Sequence, residues 1–138
     1  MPDDFHRQPI DQLLEHMAGR RFLVLTGAGI STPSGIPDYR DSEGVRRGRQ
    51  PMVYQECLAK PAARRRYWAR AMLGWPRVRQ ARPNVAHEAL AMLQAHQRIS
   101  GLITQNVDTL HDQAGSHDVI ELHGSLHRVV CLGWGQHS

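Results

Sequence analysis

The sequence has few cysteines and no long apolar run. Its 138 residues include only Cys57 and Cys131, which are too few for the disulfide framework of a small secreted domain. No stretch of about 20 apolar residues occurs, which excludes a membrane-spanning helix. The first residues, Met1–Asp4, are acidic and lead into no apolar segment typical of a secretory signal. These absences predict a cytoplasmic protein without a membrane partner.

The basic residues are concentrated in one part of the chain. Eleven of the seventeen lysines and arginines lie in residues 46–82 beside a single acid, Glu56, so this segment carries +10 and the remainder −6. Such a block could bind nucleic acid or an acidic ligand. Its aromatic residues follow no regular stacking pattern, and no zinc-finger or RNP-like motif accompanies it. We therefore favour a solvated arginine-rich helical face over a nucleic-acid site.

Apolar periodicity and turn signals predict alternating helices and strands. Helices are predicted at 9–19, 52–74 (split near Pro61), 85–97 and 108–114. Strands are predicted at 22–25, 99–104 and 119–122, the first of them buried on both faces. Residues 27–50 are rich in Gly, Ser and Pro and predict a long loop. Strands separated by helices predict a single α/β domain with a parallel sheet.

A glycine-rich turn follows the first predicted strand. In Gly27-Ala28-Gly29-Ile30-Ser31 the glycines could let backbone N–H groups approach a phosphate. The general dinucleotide fingerprint requires glycine at position 32, where this sequence has Thr32. Taken alone, the turn predicts a phosphate cradle and a simple tight connection about equally.

Three motifs together resemble the sirtuin family. Gly27–Arg40 (GAGISTPSGIPDYR) resembles the sirtuin NAD-binding signature, and Thr104–His111 (TQNVDTLH) resembles the second sirtuin motif. Glu121–Gly124 (ELHG) resembles the third, which carries the catalytic histidine, and the three occur in family order. Tyr67–Arg70 and Gly74–Pro76 are most similar to the class II, lipoamidase-like sirtuins.

The resemblance implies a partial Rossmann-like parallel sheet with a helical insertion. Within a partial catalytic domain, residues 1–45 and 99–130 would form the Rossmann part and 46–98 the helical small domain. Residues 131–138 would be the start of the zinc module. We expect the C-terminal half of the sirtuin fold to be missing, through a premature stop, a frameshift or a gene-model error. We therefore expect weak NAD binding and little turnover. The alternative is a non-catalytic fragment that retains NAD or partner binding.

The resemblance also implies a reaction. Sirtuins remove acyl groups from lysine side chains of proteins and peptides, consume NAD, and release nicotinamide and O-acyl-ADP-ribose. His123 would be the general base on a ribose hydroxyl, a task that suits an imidazole near neutral pH. Asn106 and Asp108 would act beside it. Without the flanking motifs, His123 would be interpreted as a structural histidine. Asp108 would be interpreted as the N-cap of the helix that follows.

Further NAD contacts are implied in the first motif and at Gln105. Ala28 and Ser31 would approach the pyrophosphate and ribose, and Arg40 could meet a phosphate as a multi-donor fork or be a surface arginine. The implied cofactor set is Gly27, Ala28, Gly29, Ser31, Ile36, Pro37, Asp38, Tyr39, Arg40, Gln105, Asn106, Asp108 and His123.

Tyr67 and Arg70 stand three residues apart, so they share one face of a predicted helix. In desuccinylating sirtuins, a Tyr-x-x-Arg pair holds the carboxylate of an acidic acyl group. We therefore hypothesise a preference for acyl chains that end in a carboxylate. An amphipathic helix with an exposed arginine explains the pair equally well.

The family's structural zinc is expected to be absent. Most sirtuins use two C-x-x-C pairs, but here Cys131 is followed by Trp134 where its partner belongs. One thiolate cannot replace four ligands, so Cys131 is a stranded ligand. His123, His127 and Cys131 recur every four residues, but Gly124 disfavours the helix that a metal site there would need. His87-Glu88-Ala89-Leu90 lacks the second histidine of a zinc-protease helix.

Overall fold

A computed structural model describes residues 4–38 and 52–134, with side chains from residue 9 onward. The helices and strands are α1 (Asp4–Met17), β1 (Phe22–Thr26), α2 (Tyr54–Ala59), α3 (Pro61–Gln80), α4 (Val85–Ala95), β2 (Ile99–Thr104), α5 (Leu110–Gln113) and β3 (Val119–Glu121). A 3-10 helix, Ala28–Ser34, follows β1 and is called here the 3-10 segment.

The three strands form one parallel sheet in the order β1-β2-β3. Their register places Thr26 beside Thr104 and Thr104 beside Glu121, so the carboxyl ends of all three strands are level. Helices connect the strands, as parallel pairing requires. The predicted α/β fold with a parallel sheet is thus confirmed, and chemistry is expected at this carboxyl edge.

The core lies on one side of the sheet. There α4 contacts β2 and α5, and Leu102 and Leu110 are fully buried. On the other face, Leu23 and Leu25 are 63% and 62% exposed, and Ile120 is also exposed. The expectation that strand 22–25 is buried on both faces is therefore wrong for the described residues. An apolar run indicates that a strand can be buried, but it does not indicate which element covers the strand.

The predicted helices have different bounds in the structure, and the helix expected at 85–97 ends at Ala95. The helix expected at 9–19 already begins at Asp4 and ends at Met17, and Gly19 then adopts φ +69°. The helix expected at 108–114 is shorter, Leu110–Gln113, because Thr109 has φ +60° and cannot continue a right-handed helix.

The expected break near Pro61 is present. Lys60 is extended (φ −118°, ψ 115°), as a residue before proline prefers, and Pro61 begins α3. This helix continues through Pro76 to Gln80, six residues beyond the expected end. The expected loop at 27–50 contains the 3-10 segment, and its residues 39–50 lie outside the described part of the chain.

The arginines of α3 make local contacts. Arg64 Nη1 donates to the carbonyl oxygens of Leu58 (2.6 Å) and Cys57 (3.1 Å), which end α2. Arg66 and Lys60 pair with Glu56 at 3.4 and 3.7 Å on the surface. These contacts fit a solvated helical face. No helix in the described ranges is both long and apolar enough to cross a membrane.

Candidate active site

Three side chains from distant parts of the sequence converge at the carboxyl edge of the sheet. Ser31 Oγ, in the 3-10 segment, donates to Asp108 Oδ2 at 2.7 Å. Asn106 Nδ2 donates to Ser31 Oγ at 3.0 Å. All three residues are buried, Ser31 almost completely. A buried, hydrogen-bonded polar cluster of this kind fixes the relative positions of its members.

A second hydrogen-bond chain holds this cluster to the sheet. Thr26 Oγ1 donates to Thr104 Oγ1 at 2.9 Å, and Thr104 Oγ1 accepts the backbone N–H of Asn106 at 3.0 Å. Thr26 Oγ1 is also 2.9 Å from His111 Nε2. The Thr26 hydroxyl thus bridges Thr104 and His111. These bonds lock the strand ends directly behind Asn106.

The backbone is strained beside Asp108. Thr109 is β-branched and adopts the left-handed region at φ +60°, which costs of order 1–3 kcal/mol. The strain turns the chain so that Asp108 Oδ1 accepts the N–H of Leu110 at 3.0 Å. Asp108 thus accepts the first N–H of α5 with one oxygen and the Ser31 hydroxyl with the other, while the N-cap residue of α5 is Thr109.

His123 is held through one ring nitrogen. Its Nδ1 lies 2.9 Å from the carbonyl oxygen of Gln105. A carbonyl can only accept, so Nδ1 carries the proton and Nε2 of the neutral ring keeps its lone pair. Gly124, at φ +73°, turns the chain immediately after it. The exposed imidazole is therefore oriented as a base, beside the residue that precedes Asn106.

Two buried histidines lie behind the site. The rings of His87, on α4, and His111, on α5, are 4.9 Å apart, and both side chains are almost completely buried. Burial lowers the pKa of His87, which the charge of Asp108 partly opposes. Burial lowers the pKa of His111 as well, and neighbouring His87 lowers it further against Asp108 and Asp112. Both imidazoles are therefore neutral in the folded protein near pH 7.

Acidification is expected to destabilise the fold through this pair. Unfolded imidazoles titrate near 6.5, above the folded-state values, so the unfolded chain binds more protons as the pH falls below about 6.5. The stability present above that pH is then lost, by up to about 1.4 kcal/mol per pH unit for each ring. Urea unfolding between pH 5 and 8 measures this slope.

Two matched variants test whether the pH dependence of the unfolding free energy comes from His87 and His111. His87→Gln keeps a capping-box side chain at this position but cannot titrate, so its slope is expected to be shallower. His96→Gln changes an exposed histidine just beyond α4 and should retain the original slope. A His87→Gln slope equal to that of the unsubstituted chain would contradict this explanation.

The other residues that the resemblance assigns to NAD binding differ in their contacts and in their exposure. A Cβ on Gly29 would meet no atom of the described residues within 4 Å, so there is open space beside the backbone there. Ile36 is joined to Ser31 by a backbone hydrogen bond (N to O, 3.3 Å). Gln105 donates its N–H to Thr26 and extends the β1–β2 pairing. Pro37 is exposed and Asp38 half-buried. The assigned Tyr39 and Arg40 lie outside the described residues.

Tyr67 and Arg70 line a separate cavity of about 520 Å³ rather than the polar cluster. Trp75 and His127, whose rings meet edge to face at 4.9 Å, also line it. Other lining residues are Trp68, Ala71, Met72, Gly74, Val78, Leu126 and Val129. Leu126 donates its N–H to the carbonyl of Val107, between Asn106 and Asp108, at 2.9 Å. The cavity wall is thereby joined to the loop of the candidate site.

The described residues do not fit the family's zinc. Cys131 is a free, exposed cysteine, and Trp134 is 84% exposed. Within residues 4–38 and 52–134, no three His, Cys, Asp or Glu side chains are grouped to hold a metal ion. His127 faces Trp75, and Gly124 interrupts any helix that would align His123, His127 and Cys131. The absence of a zinc site stays a prediction.

Sequence reasoning missed the residues that support the cluster. Thr104 and His111 belong to a predicted strand or motif without a role of their own, Thr26 falls between the first predicted strand and the first motif, and His87 enters only in the incomplete zinc-protease pattern. Asn84 directly precedes the helix predicted at 85–97, a position at which asparagine signals an N-cap. That signal could identify the cap but not the contacts across 50 residues of sequence that its side chain makes.

Comparison with known proteins gives consistent matches. A profile of the Sir2 family matches residues 27–137. NAD-dependent protein deacetylase 3 of Pseudomonas syringae pv. tomato is 69% identical over 129 residues, which cover 94% of this chain and 46% of that protein. NAD-dependent protein deacetylase 1 of Streptomyces coelicolor is 58% identical over 113 residues, covering 82% of this chain and 38% of that protein.

A solved structure is similar over nearly the whole of this chain. A structure described as Sir2 with a p53 peptide and NAD+ superposes with a TM-score of 0.77 at 38% identity, covering 94% of this chain and 51% of that one. The chain therefore spans about half the length of the relatives it matches. The match of the family profile over residues 27–137, together with the identity to named deacetylases, confirms the resemblance seen in the motifs. This chain belongs to the Sir2 family.

Proposed function

We propose that the protein containing this chain is an NAD-dependent protein-lysine deacylase that releases nicotinamide and O-acyl-ADP-ribose. The observation that carries the proposal is the bond from His123 Nδ1 to the Gln105 carbonyl, which leaves Nε2 free as a base. It stands beside the Ser31–Asn106–Asp108 cluster. The deacetylase names of the relatives support this choice of reaction.

His123 acts on a ribose hydroxyl in this proposal. Its Nε2 accepts the hydroxyl proton, and the developing positive charge on the ring is stabilised by the Nδ1–H bond to the Gln105 oxygen. An exposed imidazole reaches solvent, so it can pass the proton on. Holding the base by one fixed bond also limits its motion relative to Asn106, the next residue after Gln105.

The residues of the cluster fit NAD. Bound NAD supplies the electrophilic ribose carbon and the nicotinamide leaving group. Gly29 keeps side-chain atoms away from the chain, and Ser31, Asn106 and Asp108 present hydroxyl, amide and carboxylate groups that can bind ribose and nicotinamide. Their mutual hydrogen bonds fix them before the ligand arrives, which lowers the entropy cost of binding.

The acyl-lysine substrate is assigned to the cavity between α3 and the chain after His123. Its lining is mostly apolar, which suits an acyl chain, and Tyr67 and Arg70 provide a hydroxyl and a guanidinium. We propose that these two groups favour an acyl chain ending in a carboxylate, with Arg70 as its charge partner. The Leu126–Val107 bond sets this cavity beside the loop that holds Asp108.

Arg70→Ala is expected to lower affinity for a succinyl-lysine peptide about tenfold or more and to leave an acetyl-lysine peptide nearly unaffected, because only the former loses an ion pair. Fluorescence anisotropy with labelled peptides measures both affinities. Arg79→Ala is the matched control, because Arg79 is on the same helix but does not line this cavity. An unchanged ratio of the two affinities in Arg70→Ala would refute the assignment.

Mass spectrometry tests the proposed reaction. The chain is incubated with NAD and an acyl-lysine peptide, and nicotinamide and O-acyl-ADP-ribose are expected in equal amounts, only when both substrates are present.

We expect little turnover from the isolated 138 residues, because Leu23 and Leu25 leave one sheet face uncovered. The same exposed face favours the second candidate, a non-catalytic NAD- or partner-binding module. That module would bind NAD without forming either product.

We also propose a cytoplasmic location. The chain has only two cysteines, and both Cys57 and Cys131 are free. Free thiols persist in a reducing compartment. Fractionation of cells that express a tagged chain would test this assignment.

A further inference from the structure

The side chain of Asn84 joins α4 to the 3-10 segment. Its Oδ1 accepts the N–H of Ala86 at 3.0 Å, so it caps the helix. Its Nδ2 donates to the carbonyl of Ile30 at 2.8 Å and to Ser34 Oγ at 2.8 Å. The Ile30 carbonyl only accepts and the Ala86 N–H only donates, so these partners fix which way the amide points.

These two bonds bracket Ser31. Ile30 immediately precedes it, and Ser34 lies three residues after it. Within the segment, the supporting bonds are short-range, such as Ile30 N to Gly27 O (3.1 Å) and Gly35 N to Thr32 O (3.0 Å). A 3-10 helix is intrinsically weak. The position of Ser31 therefore depends on contacts from outside the segment, and Asn84 supplies two.

Ser31 in turn orders the rest of the cluster. It donates to Asp108 Oδ2 and accepts from Asn106 Nδ2. A displacement of the 3-10 segment would break both bonds and leave buried polar groups unpaired. The amide of Asn84 is thus connected to the candidate site through the segment, although no bond joins Asn84 to Asn106 or Asp108 directly.

We propose that Asn84 is a positioning residue that latches the 3-10 segment in the conformation that binds NAD. The identity of the ligand, NAD, rests on the proposed function. The two hydrogen bonds from Asn84 to the 3-10 segment, which form the latch, are present in the free protein. Asn84 does two separable jobs: its oxygen caps α4, and its NH2 group holds the segment.

Asn84→Asp separates these jobs. Aspartate keeps an oxygen to cap α4 and is favourable at a helix N-terminus, but it has no N–H to give Ile30 or Ser34. Gln94→Glu is the matched control, because it makes the same amide-to-acid change on α4. Gln94 Nε2 donates only to the carbonyl of His117 (2.7 Å), away from the 3-10 segment.

Amide hydrogen exchange without ligand measures the latch. In Asn84→Asp, the amides of Ile30, Gly35 and Ile36 are expected to exchange about tenfold faster, and the urea midpoint is expected to fall by no more than the equivalent of that tenfold change. NAD affinity, measured by calorimetry, should fall about tenfold. In Gln94→Glu, faster exchange is expected near His117 alone, with NAD affinity unaltered.

The outcomes distinguish the latch from the proposed function. Unchanged exchange at Ile30, Gly35 and Ile36 in Asn84→Asp would overturn the latch, whether or not NAD binds. Faster exchange with unchanged NAD affinity would overturn the link between segment position and binding. Failure of the unsubstituted chain to bind NAD, with exchange faster in Asn84→Asp, would count against the proposed function and still support the latch.

Discussion

In the protein containing this chain, His123→Ala is expected to lower acyl-lysine-dependent nicotinamide release by about 10²- to 10⁴-fold, the usual contribution of a positioned general base. The variant loses Nε2, which the Nδ1–H bond to the Gln105 carbonyl leaves free to accept a proton. The Ser31–Asn106–Asp108 cluster does not include the imidazole, so NAD affinity should change little. Product formation under saturating NAD, measured by mass spectrometry, gives the comparison.

Two controls identify the role as general base. Imidazole added to His123→Ala should restore part of the rate, and the restored rate should follow the concentration of neutral imidazole. His117→Ala changes another exposed histidine and should retain the original rate. Loss of NAD affinity in proportion to loss of rate would instead make His123 a binding residue.

Asp108→Ala is expected to cost about 2–4 kcal/mol of folding stability, a large fraction of the 5–15 kcal/mol of a typical domain. The carboxylate accepts from Ser31 Oγ and from the Leu110 N–H, and it is buried. Its removal leaves both buried donors without their acceptor. NAD affinity should fall as well, because Ser31 loses its partner. Urea unfolding and calorimetry measure the two effects.

Asp108→Asn is the graded comparison. Its amide oxygen can still accept from Leu110, but the hydroxyl proton of Ser31 loses its acceptor. A loss of about 1 kcal/mol is expected, between the original chain and Asp108→Ala. If Asp108→Ala were as stable as the original chain to within about 0.5 kcal/mol, the buried cluster would not hold the site together.

Local patterns predicted much of the fold. Strand 99–104 was predicted with its observed bounds, and the break at Pro61 followed from proline chemistry. The parallel arrangement followed from apolar runs separated by helices. The exposure of Leu23 and Leu25 could not be predicted, because an apolar run does not show which elements cover it. The left-handed conformation of Thr109 opposes the preference of a β-branched residue, so its local sequence did not predict it.

The site was predicted as a set of residues but not as a geometry. The motif resemblance singled out Ser31, Asn106, Asp108 and His123, and each occupies the carboxyl edge or the loop after it. Neither the Ser31–Asp108 bond, across 77 residues of sequence, nor the acceptor of His123 Nδ1 has a local signal. Asn84 has a local signal only for its capping role. Long-range hydrogen bonds depend on how the elements pack, which short motifs do not encode.

Calorimetric titration of the 138-residue chain with NAD tests the central claim most directly, which is that the Ser31–Asn106–Asp108 cluster forms an NAD site. The account predicts saturable binding at one site, weakened about tenfold in Ser31→Ala, which leaves Asn106 Nδ2 and Asp108 Oδ2 unpaired. Thr32→Ala changes the next residue of the 3-10 segment, whose exposed hydroxyl bonds only to the Gly29 carbonyl among the described residues, and it should bind NAD as the original chain does. Absence of saturable binding by the folded chain, or equal affinity in Ser31→Ala, would contradict the account.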